Sequence, residues 1–310
     1  MPSAHPGSTS SAHTSTPAGG ASSHPDLYWG APLRGGREHF GRTALPLDLS
    51  AVERYVAVGD SISEGLEDPR RAGRMIGWAD RLAVELSAAR QDGGMAPLRY
   101  ANLAIRGRLL GNILGDQLEQ ALAMRPNLIS IWGGGNDVMR LQADVRGLLQ
   151  ALDKAVARAR DTGAEVLTST FVDCSDSPLL KAISPRMMEF NEGVRVIAQR
   201  RGSRVIDQFR IPSLKDWNAW APDHIHLSSS GHQIVTQAAL EALGMPTDRT
   251  QWAPRPASAV KKLTLRQNIA WFQRDVLPWI GRHINGRSSG DGLAPKFAQY
   301  VEVPSSGFLD

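Results

Sequence analysis

The stretch Arg54-Tyr55-Val56-Ala57-Val58-Gly59-Asp60-Ser61-Ile62-Ser63-Glu64-Gly65 sets the frame for the whole chain. Residues 55–58 form an apolar run of strand length, and Gly59-Asp60-Ser61 behind it carries turn chemistry. The alternation continues downstream. Short apolar runs at 99–103, 128–132, 165–171 and 204–207 read as further strands. Helical patterns lie at 78–89, 111–124, 138–160, 184–200 and 231–243. In the first of these, Leu82, Val84, Leu86 and Ala89 supply apolar positions, with Arg81, Glu85 and Arg90 on the other face.

Strands alternating with helices predict an α/β fold, a central parallel sheet with helices on both faces. In such sheets the working site lies at the carboxyl ends of the strands. Ser61 follows the first strand, Gly107 the second and Asn136 the third. Asp223 and His226 fall in the long connection before the helical pattern at 231–243. All five are therefore expected on one rim.

Composition narrows the classes. A chain of 310 residues accommodates one sizeable α/β domain with appendages, or two small domains. Its 42% apolar and 21% charged residues are ordinary for a soluble globular protein. The net charge of +4 is spread along the chain, without the aromatic-studded basic stripe of a nucleic-acid binder, so no nucleic-acid partner is expected. Cys174 is the sole cysteine, which rules out an intrachain disulfide and reads as a small packed side chain. Residues 1–25 are rich in Ser, Thr, Pro, Gly, Ala and His and lack the apolar stretch of roughly 7–15 residues that a secretory signal needs. No run approaches the ~20 apolar residues of a membrane span. A cytoplasmic location is the expectation, with His5, His13 and His24 decorating a disordered tail.

A serine becomes a nucleophile only when a base takes its proton and donors hold the developing oxyanion. The nucleophile elbow G-x-S-x-G is absent, because Ser63 stands two residues after Ser61. Alone, Gly59-Asp60-Ser61 would equally serve as a helix cap or a tight turn. The second string is Asn102-Leu103-Ala104-Ile105-Arg106-Gly107, with Gly111 as a competing glycine. A glycine there lets substrate approach the main chain closely. Arg106 would either meet an anionic substrate or lie solvated at a strand end. The third string, Trp132-Gly133-Gly134-Gly135-Asn136-Asp137, reads as a glycine-rich turn into a helix, with Asp137 as its cap. The fourth is Asp223-His224-Ile225-His226-Leu227-Ser228. Its i, i+3 spacing lets one short turn carry a carboxylate and the imidazole it orients. His224 and His232 are spare, and with Cys174 they form no set of zinc-like spacing, so no metal is expected.

Together the four strings resemble the SGNH hydrolases, also called GDSL esterases and lipases, in block order over about 54–243. The resemblance implies a flavodoxin-like three-layer αβα sandwich. It implies Ser61 as nucleophile, His226 as base and Asp223 as the carboxylate that orients it. The backbone N–H groups of Ser61 and Gly107 and the side chain of Asn136 would form the oxyanion hole. No cofactor is implied, and substrates of this class are lipid, short-acyl or O-acetyl esters. The same acyl-enzyme would serve an acyltransferase that passes the acyl group to an alcohol or sugar. A non-catalytic binding module of the same fold is the third reading.

The expected organisation is a disordered N-terminal tail and lead-in at 1–50, a catalytic domain at 51–245, and a linker, helix and tail at 246–310. The last helical pattern, at 263–284, would dock on the domain or contact a membrane surface, and 286–310 reads as a mostly irregular tail. Residues 174–185 are a candidate substrate or lid loop. Trp217 and Trp220, ahead of Asp223, would either pack or line the pocket. Nothing in the sequence indicates an oligomeric state.

Overall fold

A computed structural model describes residues 45–310, except 69, 72–73, 141, 176–180, 249, 251–265, 267–269, 271–288, 305–306 and 309–310. The tail before residue 45, residues 176–180 of the candidate loop at 174–185, much of the linker after Leu243 and nearly all of the helix expected at 263–284 lie outside the described residues.

Among the described residues, six strands form the main sheet. They are β1 (Arg54–Val58), β4 (Arg99–Asn102), β5 (Leu128–Ile131), β6 (Glu165–Ser169), β7 (Arg204–Ile206) and β8 (Phe297–Glu302). The remaining two, β2 (Arg70–Arg71) and β3 (Arg74–Met75), make a small hairpin of their own. The main sheet runs β7-β6-β5-β1-β4-β8, with the first five strands parallel.

Side-chain alternation divides the core into two layers. Along β1, Tyr55 and Ala57 pack on one face, against α2 (Trp78–Asp92) and α8 (Ser229–Ala242). Val56 and Val58 pack on the other, against α3 (Leu110–Asn112), α4 (Leu118–Ala123), α6 (Val145–Asp161) and α7 (Ser184–Arg201). Two short helices, α1 (Ser61–Glu64) and α5 (Gly135–Val138), sit at the carboxyl ends of β1 and β5. The result is the expected three-layer αβα sandwich. From β1 the chain passes to β4 on one side and then to β5 on the other. That reversal places a crevice at the carboxyl end of β1.

Several local expectations are corrected. The stretch 286–310 is not an irregular tail, because β8 pairs antiparallel with β4 through Arg99 with Glu302, Tyr100 with Val301 and Asn102 with Phe297. Phe297 and Phe308 pack on Tyr100. The pattern read as one helix over 138–160 is broken: α5 ends at Val138 and α6 starts at Val145, where the Asp144 side chain accepts from the Gly147 N–H. The helix expected at 111–124 contains a π turn, Ile113–Gln117. Arg90 is not on a solvated face. It is buried, and its guanidinium donates to the Val52 and Ala96 carbonyls at 2.8 and 3.0 Å and to that of Leu49. Leu47, placed in the disordered lead-in, is buried, and its amide donates to the Leu243 carbonyl at 2.8 Å.

Candidate active site

Ser61 stands at the first position of α1. Asp60 caps that helix by accepting from the Ile62 N–H at 3.1 Å, which turns the chain sharply off β1 and presents the Ser61 hydroxyl at the crevice. The strand end itself is held by Gln117. Its side-chain oxygen accepts from the Gly59 N–H at 2.7 Å, and its amide donates to the Gly59 carbonyl at 3.0 Å. Gln117 closes the π turn, a device that recurs at functional sites.

His226 comes from the loop ahead of α8. A bridge between Trp220 and Leu227, with the Ala221 amide donating to the His226 carbonyl at 2.8 Å, folds this loop tightly. Asp223, His226 and Ser61 form one hydrogen-bonded row. The Asp223 Oδ2 to His226 Nδ1 distance is 2.6 Å, and His226 Nε2 lies 3.0 Å from Ser61 Oγ. The other Asp223 oxygen, Oδ1, accepts from the backbone N–H groups of Ile225 and His226, both at 3.0 Å. Burial pushes the Asp223 carboxyl up, but these bonds outweigh it and hold it below the usual carboxylate range.

The second and third strings meet beside this row. Gly107 has φ 71°, a left-handed conformation that favours glycine. It is fixed from both sides. On one, the Arg106 N–H donates to Glu64 at 2.7 Å, and the Arg106 guanidinium pairs with the same carboxylate. On the other, the Asn136 side-chain amide donates to the Arg108 carbonyl at 3.1 Å. An amide nitrogen carries two hydrogens, so one remains for a ligand. Asp137 accepts from the Leu110 N–H at 2.9 Å. It therefore caps the start of α3, not its own helix. Gly134, at φ 95°, supplies the reversal that starts α5.

The remaining sequence candidates have packing roles. Arg106 is part-buried beyond the end of β4, with its guanidinium paired with Glu64. Trp220 donates its indole N–H to the Leu214 carbonyl at 2.8 Å, and the Trp217 ring meets His224 edge-on at 4.6 Å. His232 accepts from the Trp78 N–H at 3.1 Å. Burial, with Arg81 and Lys296 nearby, pushes its imidazole down to about 3, so it stays neutral. Burial also pushes the Cys174 thiol up, the opposite of what a reactive thiol requires. Motif spacing does not reveal Glu64 or Gln117. Both act on backbone groups 42 and 58 residues away.

Asp60 carries a pH-dependent contribution to stability. Burial pushes its carboxyl up to about 6 despite the Ile62 N–H and nearby His226. The folded state therefore keeps a proton that the unfolded chain releases between about pH 4 and 6. Stability from this group is present at low pH and is lost as pH rises through about 6. Asp60→Asn retains the acceptor and removes the charge. It is expected to raise stability at pH 8 by on the order of 2 kcal/mol, with the gain shrinking toward zero by pH 4. Thermal midpoints at both pH values check this, and an equal gain at both would exclude the charge as its cause.

Residues 57–234 match the GDSL-like lipase/acylhydrolase family, more than half of the chain. The chain belongs to that family. As a GDSL hydrolase of the SGNH type it is a carboxylic ester hydrolase. Solved structures share its fold. They include LAE5, an alpha/beta hydrolase enzyme from the metagenome of Lake Arreo, Spain, at 22% identity and TM-score 0.53, over 65% of this chain and 98% of LAE5. Axe2, an acetylxylan esterase from Geobacillus stearothermophilus, matches at 20% identity and TM-score 0.50, over 63% and 95%. TesA matches at 24% and 0.50, over 61% and 97%. No curated protein matches the GDSL hydrolase by sequence. No helix among its described residues is long and apolar enough to cross a membrane.

Proposed function

We propose that the chain cleaves carboxylic esters through an acyl-enzyme on Ser61. His226 takes the Ser61 proton as its oxygen attacks the ester carbonyl, and returns that proton to the leaving alcohol. Asp223 holds the imidazole in the tautomer whose Nε2 is free to accept. The N–H groups of Ser61 and Gly107 and the second amide hydrogen of Asn136 receive the oxyanion. Water, deprotonated by the same imidazole, then releases the acyl group. The observation that carries this reading is the row from Asp223 through His226 to Ser61, at 2.6 and 3.0 Å.

A series of p-nitrophenyl esters of increasing acyl length tests the activity and ranks acyl preference. Short acyl groups are the first to try, because Axe2 is an acetylxylan esterase. A fluorophosphonate that labels Ser61 would test the nucleophile directly. Asn136→Ala is expected to lower kcat by about 10²–10³-fold, with KM little changed. Unchanged kcat in that variant would remove Asn136 from the oxyanion hole.

A further inference from the structure

The family match ends at residue 234, yet β8 and the segment before it reach the rim that holds Ser61. Because β8 runs antiparallel to β4, its first residue, Phe297, lies beside Asn102 at the carboxyl end of β4. Lys296, one residue earlier, is thereby delivered under α1.

The carbonyls at the end of a helix lack partners within it and need donors from elsewhere. For α1 those donors are known. Asn102 Nδ2 donates to the Ser63 carbonyl at 2.9 Å, and Lys296 Nζ donates to the Glu64 carbonyl at 2.7 Å. Lys296 Nζ also donates to the Met75 carbonyl at 2.9 Å and to Asp80 Oδ2 at 2.6 Å. The Lys296 side chain is 10% exposed and that of Asp80 is fully buried. Asp80 in turn accepts from the Gly77 N–H at 2.7 Å and the Tyr100 hydroxyl at 3.1 Å. Gly77 presses on Gly65, the residue that ends α1, so closely that a Cβ on Gly65 would stand 2.6 Å from the Gly77 nitrogen. The same segment also touches the turn around Gly107. A Cβ on Gly290 would collide with the Arg106 carbonyl oxygen, and Asp291 pairs with Arg108 at 3.3 Å.

We infer that Lys296 is a positioning residue for Ser61, and that the C-terminal segment it belongs to completes the catalytic rim. It acts through the Glu64 carbonyl and Asp80, fixing the end of the four-residue helix on which Ser61 stands. Displacing a reacting group by about 1 Å costs about 10²-fold in rate, so small movements of α1 are expected to be felt in kcat. This inference rests on the reading of Ser61 as nucleophile.

The test compares full-length wild type, Lys296→Met, Lys296→Met/Asp80→Asn and Ser61→Ala. The double variant leaves no unpaired buried charge. The asparagine that replaces Asp80 accepts from the Gly77 N–H with its oxygen and turns its NH₂ toward the Tyr100 hydroxyl oxygen, which can accept, so the double variant keeps the fold if the single variant does not. Kinetics on p-nitrophenyl acetate are combined with the rate and stoichiometry of fluorophosphonate labelling. In the double variant kcat and the labelling rate are expected to fall together by about 10–100-fold, with KM nearly unchanged. Wild-type kcat per labelled site, with only a lowered thermal midpoint, would reduce Lys296 to a stabilising contact and overturn the inference. Full activity in Ser61→Ala would overturn the nucleophile reading itself. An inactive Ser61→Ala beside a fully active double variant would remove the role of Lys296 alone.

Discussion

Ser61→Ala is expected to lower kcat by about 10⁶-fold while leaving the thermal midpoint near that of wild type. The substitution removes one hydroxyl whose hydrogen bond is to His226 Nε2 at 3.0 Å. The cap of α1 belongs to Asp60 and the main chain, so nothing that shapes the turn is lost. Residual catalysis of about 10³–10⁴ over water is expected from the oxyanion donors and binding alone. The measurement is kcat for the best p-nitrophenyl ester, with purity checked by the absence of fluorophosphonate labelling. Turnover near the wild-type value would place the chemistry on another residue.

Asp223→Asn is expected to lower kcat by about 10⁴-fold, with the fold and KM preserved. The cause lies in how its two oxygens are used. Oδ1 accepts two backbone N–H groups, so an asparagine must present its own carbonyl oxygen there. Its NH₂ group then faces His226 Nδ1 and donates to it. That fixes the imidazole with its hydrogen on Nε2, aimed at Ser61 and unable to accept the serine proton. The loss should thus appear in kcat and in the labelling rate, not in binding. An Asp223→Asn enzyme as fast as wild type would show that tautomer control is not what Asp223 supplies.

Much of this arrangement is legible from the sequence because it is local. Each of the five parallel strands is a short apolar run closed by a turn, and alternate side chains of β1 divide cleanly between the two core layers. Ser61, Gly107 and Asn136 each follow a strand end, and the spacing from Asp223 to His226 fits one turn, so topology alone gathers them. What escapes is long-range or runs against residue type. The alternation in Phe297-Ala298-Gln299-Tyr300-Val301-Glu302 is readable as a strand, but a parallel strand–helix rhythm has no place for an antiparallel edge. Arg90 looks solvated until three carbonyls surround it. Asp137 sits where a helix cap belongs, yet its carboxylate reaches the start of a different helix. Glu64 and Gln117 show no motif because their partners are backbone atoms of distant residues.

The pairing of β4 with β8 also bears on how the molecule is made. Arg99 and Glu302 lie about 200 residues apart along the chain, a contact that raises contact order and closes late in folding. Synthesis proceeds from the N-terminus, so β4 is the open edge of a five-stranded sheet until the chain has been made as far as β8. Such an edge is a template for stray strand pairing. β8 seals that edge about 200 residues after β4 is made, so a nascent chain short of β8 carries an aggregation hazard that a chain with β8 in place does not.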